Sequence, residues 1–125
     1  INLKSKYLAR KKRYLFLKKD EYFKSKHFVK VIDLKTFMQN HNIKKIEILK
    51  IDTEGYDFEV IQGLQNYINK VKYIYFEHHF HDMFAKKNKF NEINQFLVKN
   101  NFKKVFKIKM MFRKTFEYIY CNEKI

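Results

Sequence analysis

Residues 46–63, IEILKIDTEGYDFEVIQG, set an apolar run of strand-forming residues directly before Asp52, Glu54 and Gly55, and then open an amphipathic helix. A strand that enters a helix through a short acidic turn is the repeating unit of an open α/β sheet. Polar groups at the strand's C-terminal end face a crevice, and the N-terminus of the following helix leaves that crevice electropositive. The run 71–77, VKYIYFE, is a second strand, nearly continuous in apolar residues from Tyr73 to Phe76 and so expected to be covered on both faces. Strand, helix and strand at this length form a right-handed crossover with parallel strands. Asp52 and Glu77 therefore belong at one edge of the sheet, on neighbouring strands.

The elements around this unit follow from periodicity. Residues 46–52 read as a buried strand. A helix over 57–68 places Val60, Ile61, Leu64, Tyr67 and Ile68 on one stripe, with Glu59, Gln62, Gln65 and Asn66 mostly away from it. Upstream, 28–32 suits a short strand, and Asp33 can cap a helix over 34–41 by accepting from its free backbone N–H groups. Downstream of a loop holding His78, His79, His81 and Asp82, a helix over 91–100 carries Ile93, Phe96 and Leu97 inward. KKVFKIKMMF alternates Lys with Phe106, Ile108 and Met110, a strand with one face in water, and FEYIYC reads as its antiparallel partner. The expected fold class is α/β: two parallel strands, flanking helices and a terminal antiparallel hairpin.

At 125 residues the chain is at most one domain, large enough for a modest core but small for a complete doubly wound enzyme. It begins at Ile1, and an upstream part is expected. No apolar run approaches the ~18 residues that span a bilayer, and the N-terminus is too charged for a signal peptide's apolar region. A lone Cys121 cannot form an internal disulfide and reads as a small strand hydrophobe, which makes cytoplasm the expected compartment.

The formal charge of +15 invites a nucleic-acid reading, so its distribution matters. Residues 1–30 hold eleven Lys/Arg against two Asp/Glu, 31–84 hold six against eight, and 85–125 hold eleven against three. The ends are basic and the centre slightly acidic. Only Arg10, Arg13 and Arg113 among the twenty-eight cations are Arg, the residue favoured for bidentate phosphate and base contacts. The abundance of Lys, Asn, Ile, Phe and Tyr with few Gly, Ala, Pro and Trp also fits an A+T-rich coding sequence. No nucleic-acid partner is expected, and the charge reads as solvated surface; a basic module on nucleic acid or an anionic surface is the alternative. Residues 1–27 stand apart as a basic amphipathic segment, with 1–26 at roughly helical spacing.

Four side chains are candidates for chemistry at the crevice: Asp52, Glu54, Glu77 and His79. Asp52 is the best placed of them, as a base or an orienting group, and its bland role is to cap the turn before the helix. Glu54 can contact substrate or complement the helix dipole, and Gly55 supplies a backbone conformation that a Cβ would forbid. A His is a natural base near neutral pH. Successive strand residues point to opposite faces, so only one of His78 and His79 can face the crevice. The HHxHD cluster matches no structural zinc spacing, so no metal is expected.

These motifs resemble the FkbM-type methyltransferases. LKIDTEGYDFEVIQG is similar to that family's signature. VKVIDLKTF resembles the strand and helix start before it, YIYFEHH the next strand ending in Glu, and FEYIYCN the last strand of the domain, so the resemblance covers about 28–122. It implies a class I, S-adenosylmethionine-dependent fold with a Rossmann-like seven-stranded sheet whose last strand is antiparallel. It also implies O-methylation of a sugar or secondary-metabolite hydroxyl, with Asp52 and Gly55 on the cofactor side. Such enzymes hold the cofactor through a Gly-rich turn after the first strand and an acid ending the second. Only Gly55 and Gly63 exist here, and neither lies in a Gly-rich turn. The expectation is therefore that 28–125 is the C-terminal half of such a domain, inactive alone, without the principal cofactor-binding half and open to self-association along 46–52.

Overall fold

The computed structural model describes residues 28–80, 89–112 and 114–125. Among the described residues four strands and three helices follow one another as α1 (Leu34–Asn40), β1 (Ile46–Ile51), α2 (Asp57–Gln62), a 3₁₀ turn (Gln65–Lys70), β2 (Val71–His79), α3 (Phe90–Lys99), β3 (Phe102–Lys109) and β4 (Thr115–Asn122). The strands form one mixed sheet in the order β1-β2-β4-β3. β1 and β2 are parallel, Ile46 opposite Val71 and Ile51 opposite Phe76; β4 runs antiparallel to both β2 and β3. The parallel pair and the terminal hairpin are thus joined into a single sheet, with the last strand at its interior.

One face of the sheet holds the core. Phe76 stacks on Tyr118 and Tyr120 at centroid distances of 5.6 and 5.9 Å, and Phe90 of α3 lies on Tyr118 at 4.4 Å. Ile93 and Leu97 of α3 and Phe58 and Ile61 of α2 fill the same cluster. The Tyr120 hydroxyl donates to Asn94 Oδ1 at 2.7 Å, so the polar end of a buried aromatic is satisfied by the helix that covers it.

Several elements differ from the sequence reading. Residues 28–32 form no strand and are exposed; α1 begins after them, with the Asp33 carboxylate accepting from Thr36 N at 2.7 Å as its cap. The helix over 57–68 ends at Gln62. Gly63 and Leu64 turn the chain, Gln65 takes φ 49°, and a 3₁₀ turn replaces the second half. At the break Gly63 O accepts from Lys35 N at 3.0 Å, which ties the turn to α1, and a Cβ on Gly63 would lie 3.2 Å from Val60 O. The hydrophobic stripe survives the break, since Ile61, Leu64 and Ile68 remain buried. β1 is an edge strand in which only Ile51 is buried, because no described strand pairs with its outer side. In β3 only Phe102 is buried, and both alternating sets of side chains beyond it are exposed. α3 covers 90–99, and β2 runs on through His79, two residues past its expected end. The basic segment 1–27, together with His81 and Asp82, lies outside the described residues.

No helix among the described residues is long and apolar enough to cross a membrane.

Candidate functional site

The C-terminal ends of the two parallel strands lie side by side. Ile51 pairs with Phe76, so Asp52 and Glu77 are the next residues along neighbouring strands, at one edge of the sheet. Beyond Asp52 the chain reverses within five residues. Asp57, first residue of α2 and 3% exposed, accepts from Thr53 N at 3.2 Å and Thr53 Oγ1 at 2.9 Å, closing a loop around Glu54 and Gly55. Both enclosed residues have positive φ, 52° at Glu54 and 106° at Gly55. Glycine takes such values at little cost, whereas Glu54 holds a conformation that few side-chain-bearing residues adopt.

That reversal carries Glu54 back toward β2. Its Oε2 lies 3.5 Å from His79 Nε2, and Glu77 Oε1 lies 3.3 Å from the same nitrogen. Glu77 and His79 are two residues apart on β2 and so share a face of the sheet. The other His79 nitrogen, Nδ1, is 3.0 Å from the hydroxyl of Thr115, its partner across the β2–β4 ladder. His78 points the opposite way, with its ring against Phe80 at 4.8 Å and Phe90 at 5.6 Å. Of the two adjacent histidines, His79 meets the acidic cluster and His78 meets the aromatic core.

Burial sets the electrostatics. The Glu77 carboxyl is pushed above the ordinary carboxylate range first by burial and further by the charges of Asp52, Glu54 and Glu117, with His79 acting against them. Asp57 is likewise raised by burial, and the two Thr53 hydrogen bonds hold it back. Asp52 is exposed at the mouth of the site. Glu77 is thus the member of the cluster that combines partial enclosure, a raised proton affinity and a direct imidazole neighbour. Such a group, steadied as a carboxylate by the imidazole, can accept a proton and become neutral.

The structure brings Glu54, Glu77 and His79 into contact, with Asp52 beside them, and leaves Gly55 in the turn behind. Among the described residues no group of three or more His, Cys, Asp or Glu side chains is placed to hold a metal. Sequence reasoning missed Asp57, Thr53 and Thr115. The first two carry a local signal: a hydroxyl residue and an acid bracketing a glycine turn at a helix start form a side-chain closure. Thr115 has none, because it is 36 residues from His79 and meets it only through strand pairing.

No curated protein and no solved structure matches the chain. A family model does, over residues 5–104, described as the methyltransferase FkbM domain, and that span contains β1, the acidic turn and all of β2. Covering most of the 125 residues, the match shows that this chain belongs to the FkbM methyltransferase domain family.

Proposed function

We propose that the chain supplies the acceptor-facing half of an S-adenosylmethionine-dependent methyltransferase that methylates a hydroxyl of a sugar or secondary metabolite. The observation that carries this reading is the Glu77–His79 contact beside Asp52 and Glu54 at the ends of two parallel strands. An antiparallel last strand next to a parallel pair agrees with the C-terminal half of a Rossmann-like sheet. A lone free cysteine agrees with a cytoplasmic setting.

The residues suit the methyl end of the cofactor and not its nucleoside end. A sulfonium is cationic, and a crevice edged by Asp52, Glu54 and Glu77 favours positive charge. Neither glycine belongs to a glycine-rich turn that would take a nucleoside. S-adenosylmethionine, when bound, supplies an electrophilic methyl whose departure leaves a neutral thioether. The chain's own residues do the rest. His79 presents an N–H to the Glu77 carboxylate and steadies its charge, Glu77 then receives the acceptor hydroxyl's proton, and Glu54 flanks the same imidazole nitrogen. Asp52 stands on the cofactor side, with Gly55 leaving room for a close backbone approach.

The test is kinetic, in the full-length protein that carries this chain. Glu77→Gln should lower kcat by the ~10² to 10⁴-fold typical of a lost base, with little change in KM. Asp52→Asn should also depress turnover, and Lys35→Gln on α1 should not. Near wild-type turnover in Glu77→Gln would remove the proposed base. Calorimetry on the 125-residue chain alone should show no S-adenosylmethionine binding, and a micromolar Kd would overturn the half-domain reading.

A further inference from the structure

We propose that the turn between β3 and β4 is a docking tip for an anionic lipid bilayer. The hairpin closes where Met110 N donates to Thr115 O at 3.0 Å, and Phe80 N, just past β2, donates to Lys114 O at 2.6 Å, so the turn is braced from two sides. Between these ties Met111 and Phe112 stand in water, 79% and 97% exposed. Apolar surface held there is unfavourable, and Phe112 also takes a φ of 59°, which few side-chain-bearing residues adopt. Two large apolar side chains on a braced turn suit shallow insertion at the boundary between headgroups and acyl chains.

The charges around the tip select the partner. Between Glu92 and Glu117 the sequence holds seven Lys and Arg and no acid. Lys107 and Lys109 lead into the turn and Lys114 leads out of it, all three exposed. Lys107 Nζ lies 4.6 Å from the ring centroid of Phe116, while Phe106 and Ile108 alternate with the lysines on the other face of β3 and are exposed too. An apolar tip within a collar of cations complements a bilayer, whose surface is negative and whose interior is apolar. Nucleic acid offers the charge without that interior, and six of the seven cations are Lys and only Arg113 is Arg, the residue suited to bidentate phosphate contacts. The acids of the candidate site belong to β1, its following turn and β2, so β4 lies between them and the cations of β3. Thr115 follows the turn directly and pairs with His79, which places the tip at the same edge of the sheet as Asp52 and Glu77. Docking turns that edge toward the lipid, whatever chemistry takes place there.

Flotation through a density gradient reads the contact, because aggregated protein sinks and vesicle-bound protein rises. The full 125-residue chain should float with phosphatidylcholine vesicles containing about one-third phosphatidylserine at about 0.15 M salt, and should not float with phosphatidylcholine alone. Lys109→Gln with Lys114→Gln should weaken binding about thirtyfold, since each cation near such a surface contributes about fivefold. Met111→Ser with Phe112→Ser keeps every charge and should weaken it about tenfold. Lys44→Gln with Lys45→Gln removes the same charge from the loop before β1, at the opposite edge of the sheet, and should leave binding nearly unchanged. The chain has no Trp, so Phe112→Trp reports on the tip alone, and its emission should move to the blue on the anionic vesicles only. A wild type that does not float, or a Met111→Ser, Phe112→Ser variant that floats equally well, would overturn the inference. So would equal losses in the two lysine pairs, an unmoved Phe112→Trp emission in floating protein, or tip-dependent binding to single-stranded DNA in place of vesicles.

Discussion

Between Ile51 and Asp57 the backbone holds two consecutive positive-φ residues, and Asp57 ties the loop shut from inside. The tie sets two residue-scale expectations. Gly55→Ala forces a Cβ into φ 106°, which should cost about 1–2 kcal/mol and displace Glu54, read as a lowered urea midpoint with unchanged m-value. The second concerns pH. Asp57 and Glu77 bind protons more tightly folded than unfolded, so their contribution is complete below the ordinary values of 3.8 and 4.5 and is lost as pH rises through the raised folded values. Asp57→Asn keeps an acceptor for Thr53 and removes the buried charge. Its stability relative to wild type should therefore climb as pH rises from 3.8 upward, and denaturant titrations at several pH values check this. A flat difference would mean that Asp57 is as well solvated folded as unfolded.

At the scale of elements, the sequence showed its content where burial is one-sided and local. Asp33 capping α1, β2 as a strand, and Ile93 and Leu97 facing inward from α3 were readable from spacing; the expected cover on both faces of β2 is not found, since Ile74 and Phe76 are buried while Tyr73 and Tyr75 on the other face are not. The broken helix after Gln62 was not readable. Its apolar stripe continues through Leu64 and Ile68, and the break coincides with the hydrogen bond from Lys35 N of α1 to Gly63 O, a tertiary contact that a periodic pattern does not record. β1 lies at the edge of the described sheet, as its expected open side implies, but it was read as buried from composition and only Ile51 is. For the site, the ends of β1 and β2 were legible from crossover geometry, and the choice of His79 over His78 was not, since alternation gives two faces without saying which holds the core. Leu97→Ala tests the packing of α3 and should cost about 2–5 kcal/mol, because Leu97 is fully buried in the core cluster and its truncation leaves a cavity there. Thermal unfolding is the measurement, with the exposed Val98→Ala as its near-neutral counterpart on the same helix.

Considered whole, the sheet has a covered face and one that is only partly covered over its middle rows, although Val71, His79 and Thr115 at its ends are buried. Across the ladders, Ile48, Tyr73 and Cys121 share one row, and Tyr75, Ile119 and Phe106 the next, and none of these six is buried. The outer edge of β1 adds a row of backbone groups that no described strand pairs with. An apolar edge of this kind is a template for another chain. The 125-residue chain should self-associate in sedimentation at micromolar concentration, and Ile48→Lys, 66% exposed in the wild type, should shift it toward monomer. A monomeric wild type would show that some part of the molecule shields the edge.

The position of β4 sets a schedule for synthesis. As the last of the described strands and an interior strand of their sheet, it separates β2 from β3 and supplies both of their ladders. A nascent chain halted before Thr115 has made the other described elements and can zip none of their strands beyond the β1–β2 pair. Tyr118 and Tyr120, the centre of the aromatic core, are then not yet made. The described sheet therefore closes only once residue 122 has cleared the exit tunnel.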